Sequence, residues 1–157
     1  MQKPSSGNFP SDWWVEYNGH TFGYGRDPYD APWDDTVNYN YWNPNLAKAM
    51  TQQLVDIAAV TDMVRCDMSM LILNDIIEVV WGDVLAANGY SRPEKEFWEV
   101  AIAAAKKAHP NFRLMAEVYN YGITPQPEDE TLQGMGFDFT CAFSMIVLPG
   151  VGRVSCC

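Results

Sequence analysis

Basic residues are scarce in this chain. It carries 10 Lys and Arg against 20 Asp and Glu, for a formal net charge of -10. Such a surface repels phosphate backbones, so nucleic acid is not an expected partner. The shortage of Lys and Arg also argues against docking on anionic lipid. Histidine is scarcer still. His20 and His109 stand far apart without ligand spacing, so neither a transition metal nor another cofactor is expected. Only four cysteines occur: Cys66 alone, then Cys141, Cys156 and Cys157 crowded together. That is neither a spaced disulfide framework nor a zinc pattern, and incidental thiols are expected.

Long apolar runs are missing too. The longest, Met68 to Trp81, is broken by Asn74, Asp75 and Glu78, and is too short and polar to span a bilayer. No apolar segment of signal-peptide type follows Met1, so a cytoplasmic location is expected. No Gly-rich phosphate loop follows a predicted strand, which argues against a flavodoxin-like nucleotide domain. There is no internal repeat.

What is present suits a folded domain. The 157 residues are 48% hydrophobic and 19% charged, enough for one core. A neutral substrate such as a sugar fits the charge balance. Residues 1–42 hold ten aromatic side chains from Trp13 to Trp42, interleaved with Gly, Pro, Asp and Asn, and read as loop. Most of these rings are expected to pack against a core, with two or three lining a site.

Beyond Trp42 the periodicity is clearer. Asn43 reads as an N-cap and Pro44 as the first helical residue, with Leu46, Met50, Leu54 and Ile57 at helical spacing as far as Val60. Residues 62–67 read as a short strand. Residues 69–81 read as a buried helix stopped at Gly82, and 83–92 as loop. Pro93 opens a second amphipathic helix that ends at Pro110. Phe112–Val118 and Phe137–Phe143 read as strands, with a short helix at best over 120–134. Alternating strands and helices predict an α/β fold with a parallel sheet.

Two of these strands end in a carboxylate, Asp67 and Glu117, where α/β folds place their chemistry. Adjacent parallel strands would bring the two side by side. Paired carboxylates about 5–5.5 Å apart across a glycosidic bond give the retaining mechanism. Arg65 lies two residues before Asp67, on the same strand face, where a guanidinium could keep a nucleophile ionised. Pattern alone leaves a second reading open, in which both carboxylates are helix caps or loop ion pairs.

Val64-Arg-Cys-Asp-Met68 resembles the alpha-amylase superfamily (glycoside hydrolase family 13) segment with Arg-x-Asp at the end of the fourth barrel strand. Leu114-Met-Ala-Glu-Val-Tyr119 is similar to the segment carrying that family's acid/base on the fifth. Gly25-Arg-Asp-Pro-Tyr29, Asn40-Tyr-Trp-Asn-Pro44, Leu71 to Gly82 and Gly136-Phe-Asp138 resemble the surroundings of those segments. The likeness covers residues 23–139, after an N-terminal extension over 1–22 and before a divergent tail over 140–157.

The resemblance implies Asp67 as nucleophile, Glu117 as acid/base, Arg65 as the nucleophile's partner and Tyr119 near an α-glucan or oligosaccharide. It also implies a partial (β/α)8 TIM barrel, from the loop before the third helix through the sixth strand. Met68 and Met70 are expected only to pack. Segments carrying the family's remaining site residues have no counterpart here. The competing expectation is therefore a non-catalytic piece that binds glucan or a protein partner.

Overall fold

The computed structural model describes residues 1–143 apart from Ser6. Three strands come first: β1 (Trp14–Tyr17), β2 (His20–Gly25) and β3 (Trp33–Val37), antiparallel in that order. This corrects the loop expected over 1–42. The hairpin signal was Asn18-Gly19: both residues have positive φ, 49° and 76°, and they join Tyr17 to its partner His20. A two-residue turn of that kind matches the twist of the strands it joins. The sheet packs its Trp14 ring edge-on against Trp81, 5.9 Å between centroids. Gly23 permits this approach, because a Cβ there would lie 2.8 Å from the Trp81 ring.

The second half alternates as expected. Helix α1 (Pro44–Ala58) is capped by the Asn43 side chain, which accepts from the Asn45 N–H at 3.0 Å. Strand β4 (Met63–Cys66) follows, then a 3-10 turn over Ser69–Ile72, helices α2 (Asn74–Ala87) and α3 (Phe97–Ala108), and strand β5 (Arg113–Tyr119). Helix α4 (Glu128–Gly134) and strand β6 (Phe139–Phe143) complete the described chain.

Two helix boundaries differ from expectation. Helix α2 runs through Gly82 rather than stopping there. An interior glycine costs about 1 kcal/mol, but continuing buries Val84 and Leu85, each worth about 1.5–3 kcal/mol. The stop comes at Gly89, φ 79°, where Gly89 N–H donates to Ala86 O and Tyr90 N–H to Leu85 O. Helix α3 begins at Phe97 and not at Pro93. The carbonyls of Pro93 and Lys95 accept from the Asn74 side chain, and Glu96 is extended, its carboxylate turned to the Asn74 N–H.

Strands β4, β5 and β6 form a parallel sheet in chain order. Along β5, Leu114, Ala116 and Val118 are fully buried, and one cluster of apolar side chains runs from Trp14 through α1, α2 and α3 to Phe137. The expected partial (β/α)8 barrel is not what forms. The described residues make two three-stranded sheets, one antiparallel and one parallel, with four helices and no closure. Closing such a barrel takes eight strands and about 250 residues. Among the described residues, the parallel sheet ends in two edges, β4 and β6. Among the described residues, no helix is long and apolar enough to cross a membrane.

Candidate functional site

The register of the parallel sheet builds the site. Cys66 on β4 lies opposite Ala116 on β5, which sets the next residues side by side: Asp67 follows the end of β4, while Glu117 stays in the sheet opposite Cys141 on β6, two residues before β5 ends. Arg65 lies between them. Its Nη2 is 2.9 Å from Glu117 Oε1 and its Nη1 is 3.6 Å from Asp67 Oδ2. One guanidinium thus faces both carboxylates, as the spacing Arg65-x-Asp67 suggested.

The two carboxylates sit in different surroundings. The Glu117 side chain is only 10% exposed, whereas that of Asp67 is 77% exposed. Glu117 has donors on both oxygens, because the Met68 N–H gives a second hydrogen bond to Oε2 at 3.1 Å. Asp67 faces solvent, with a single long ion pair among the described residues.

Met68 was expected only to pack, and its backbone proves to be part of the site. Its φ is 44°, a left-handed conformation that bulky residues rarely adopt. The conformation turns the chain out of β4 and aims the N–H at Glu117. Ser69 Oγ donates to Cys66 O at 2.8 Å, and buried Trp98 Nε1 donates to Ser69 O at 2.8 Å, so the turn is held from both sides. Nothing in the sequence marks a methionine for positive φ. Met70 is fully buried, as expected.

Tyr119 lies two residues beyond Glu117, on the same face of β5 by strand alternation, and is half-buried at the strand end. The segment after it is fastened to the N-terminal half. Buried Asp27 accepts from the N–H groups of Tyr29 and Asp30 at 2.8 and 2.7 Å, and from Tyr121 Oη at 3.2 Å. Tyr29 Oη donates to Tyr121 O at 3.1 Å. Burial first, and then the Asp27 carboxylate, push the Tyr121 hydroxyl up from its ordinary pKa. These contacts bring Gly25-Arg-Asp-Pro-Tyr29 next to the chain leaving Glu117.

Asp138 belongs to the other end of the sheet. It accepts from the Leu114 N–H at 2.9 Å and pairs with Lys106 at 2.9 Å. Burial alone would raise its pKa, but the Lys106 and Leu114 hydrogen bonds and the Lys106 and Arg113 charges outweigh that and hold it below the ordinary value. Cys66 is a free thiol that burial pushes up to about 11. Cys156 and Cys157 lie outside the described residues. Among the described residues, no three His, Cys, Asp or Glu side chains gather as metal ligands would.

This arrangement sets an exposed carboxylate and a buried, hydrogen-bonded one on either side of a cation. Comparison with protein-family models, curated proteins and solved structures finds no match for this chain.

Proposed function

We propose that this chain carries the nucleophile and the acid/base of a retaining glycosidase or transglycosylase of the alpha-amylase type, acting on α-glucosidic bonds. The observation that supports it is the Arg65 guanidinium facing Asp67 and Glu117 near the C-terminal ends of neighbouring strands. Asp67, open to solvent, attacks the anomeric carbon as the bond to the leaving oxygen breaks. Glu117 gives its proton to that oxygen. Water then attacks the glycosyl-enzyme carbon, Glu117 takes the water's proton, and the Asp67 carboxylate leaves. For Glu117 to donate, one of its oxygens has to let go of a donor. Release from Arg65 leaves the guanidinium to Asp67, the group that must stay ionised.

A second reading, glucan or partner binding without turnover, has its own observation: both Glu117 oxygens are already occupied, by Arg65 and by the Met68 N–H. A 5-fluoro-α-glucosyl fluoride distinguishes the two. The retaining reading expects a glycosyl adduct on the peptide containing Asp67, absent in Asp67→Asn, and slower glycoside turnover in Glu117→Gln. Glucan binding with no adduct and no turnover selects the second reading. Neither binding nor adduct rejects both.

A further inference from the structure

A groove of about 570 Å³ opens between the first turns of α1 and α3, and none of Arg65, Asp67 or Glu117 lines it. Its size is that of a small-molecule pocket. Tyr41, Trp42 and Phe97 supply aromatic surface, with Tyr41 and Phe97 edge to face at 4.7 Å between centroids. Small side chains on the α1 wall, Ala47 and Thr51, leave the space open.

The walls are fixed before any ligand arrives. Buried Asn74 accepts from Trp42 Nε1 at 3.0 Å and donates to the carbonyls of Pro93 and Lys95. The Glu96 carboxylate is committed to the Asn74 N–H at 2.9 Å, and Arg92 to Asp75 and Glu78, both at 2.6 Å. Two lining cations remain: Lys48 and Lys95 make no ion pair among the described residues. The chain as a whole is strongly acidic, but at physiological salt charges beyond about 8 Å are largely screened. Lys48 and Lys95 are thus the lining cations free to meet an anion, beside the Glu96 carboxylate and the two carboxylates that share Arg92.

We propose that this groove is a binding site for a small amphipathic anion: a planar apolar body carrying one carboxylate or sulfonate. The body lies on Tyr41 and Phe97, and the anionic group reaches Lys48 or Lys95 at the mouth. The site is independent of the glycosidase reading.

Calorimetric titration with naphthalene-2-sulfonate, and with uncharged 2-naphthalenemethanol, tests it on the intact chain. The expected result is saturable 1:1 binding of the sulfonate. Lys48→Glu with Lys95→Glu, both at exposed positions, should weaken the sulfonate about tenfold or more and leave the alcohol within about twofold. Val100→Trp, at the exposed edge of the groove, should abolish binding of both probes with the circular dichroism spectrum unchanged. The proposal is overturned if the native chain shows no saturable binding, if sulfonate and alcohol bind it equally, or if a folded Val100→Trp chain binds as before.

Discussion

Arg65→Met tests the site directly, because it removes one cation from two carboxylates in unequal surroundings. Arg65 lies 2.9 Å from Glu117, whose side chain is 10% exposed, and 3.6 Å from Asp67, whose side chain is 77% exposed. Exposed pairs are worth about 0.2–1 kcal/mol. Breaking a fully buried pair costs about 3–5 kcal/mol, because a charge is stranded. Arg65 is 44% exposed, so its pair with Glu117 falls between these limits and should contribute about 1–3 kcal/mol. The Met68 N–H stays on Glu117 and keeps the loss from the upper limit. Urea unfolding followed by circular dichroism should show Arg65→Met destabilised by that amount at neutral pH, with an unchanged denaturant slope. Asp67→Asn should cost less than about 0.5 kcal/mol. In Glu117→Gln the stranded charge is gone, so adding Arg65→Met to it should cost little. The cycle should therefore return a coupling of about 1–3 kcal/mol. Additivity within about 0.5 kcal/mol, or an Asp67→Asn cost as large as that of Arg65→Met, would refute the reasoning.

Two further outcomes follow from groups away from that edge. Glu128 is fully buried, and its carboxylate accepts from the N–H groups of Gly122 and Ile123 at 3.3 and 3.0 Å, fastening the segment after β5. Glu128→Gln turns an amide donor toward one of these donors and should cost about 1.5–3 kcal/mol in urea unfolding. A neutral result would mean that the carboxylate does not hold the segment. Asp138 has a folded-state pKa held below its ordinary value of 3.8. Its contribution is therefore present above that pKa and lost as pH falls through the lower folded value. Asp138→Asn should destabilise the chain at pH 7, and its stability should approach that of the native chain as pH falls through the lowered folded-state pKa. A penalty independent of pH would show that the ion pairs with Lys106 and Arg113 contribute nothing.

Local signals suffice where one residue type governs one conformation. Asn43 capped α1 as expected, and Pro110 follows the end of α3. Asn18-Gly19 is equally local, but the dense aromatics, Gly, Pro, Asp and Asn around it point to loop. Gly82 misled because its helix-stopping tendency, about 1 kcal/mol, is smaller than the burial gained by Val84 and Leu85 beyond it. Pro93 does not start α3, because the Asn74 side chain, 19 and 21 residues away in sequence, takes the carbonyls of Pro93 and Lys95. The barrel expectation came from the family resemblance alone, and the chain forms an open three-stranded parallel sheet instead.

By itself the sequence determined that β4 and β5 exist and that a carboxylate stands near the C-terminal end of each, because strand and helix periods depend on near neighbours. It also placed Arg65 on the same face as Asp67, through the two-residue repeat of a strand. Only the tertiary structure decided that Cys66 pairs with Ala116, which sets Asp67 beside Glu117. It alone buried one carboxylate, left the other in water, and turned Met68 into the left-handed conformation whose N–H holds Glu117. Register, burial and the backbone angle of a methionine are settled by contacts between residues about fifty positions apart, and no local pattern encodes them.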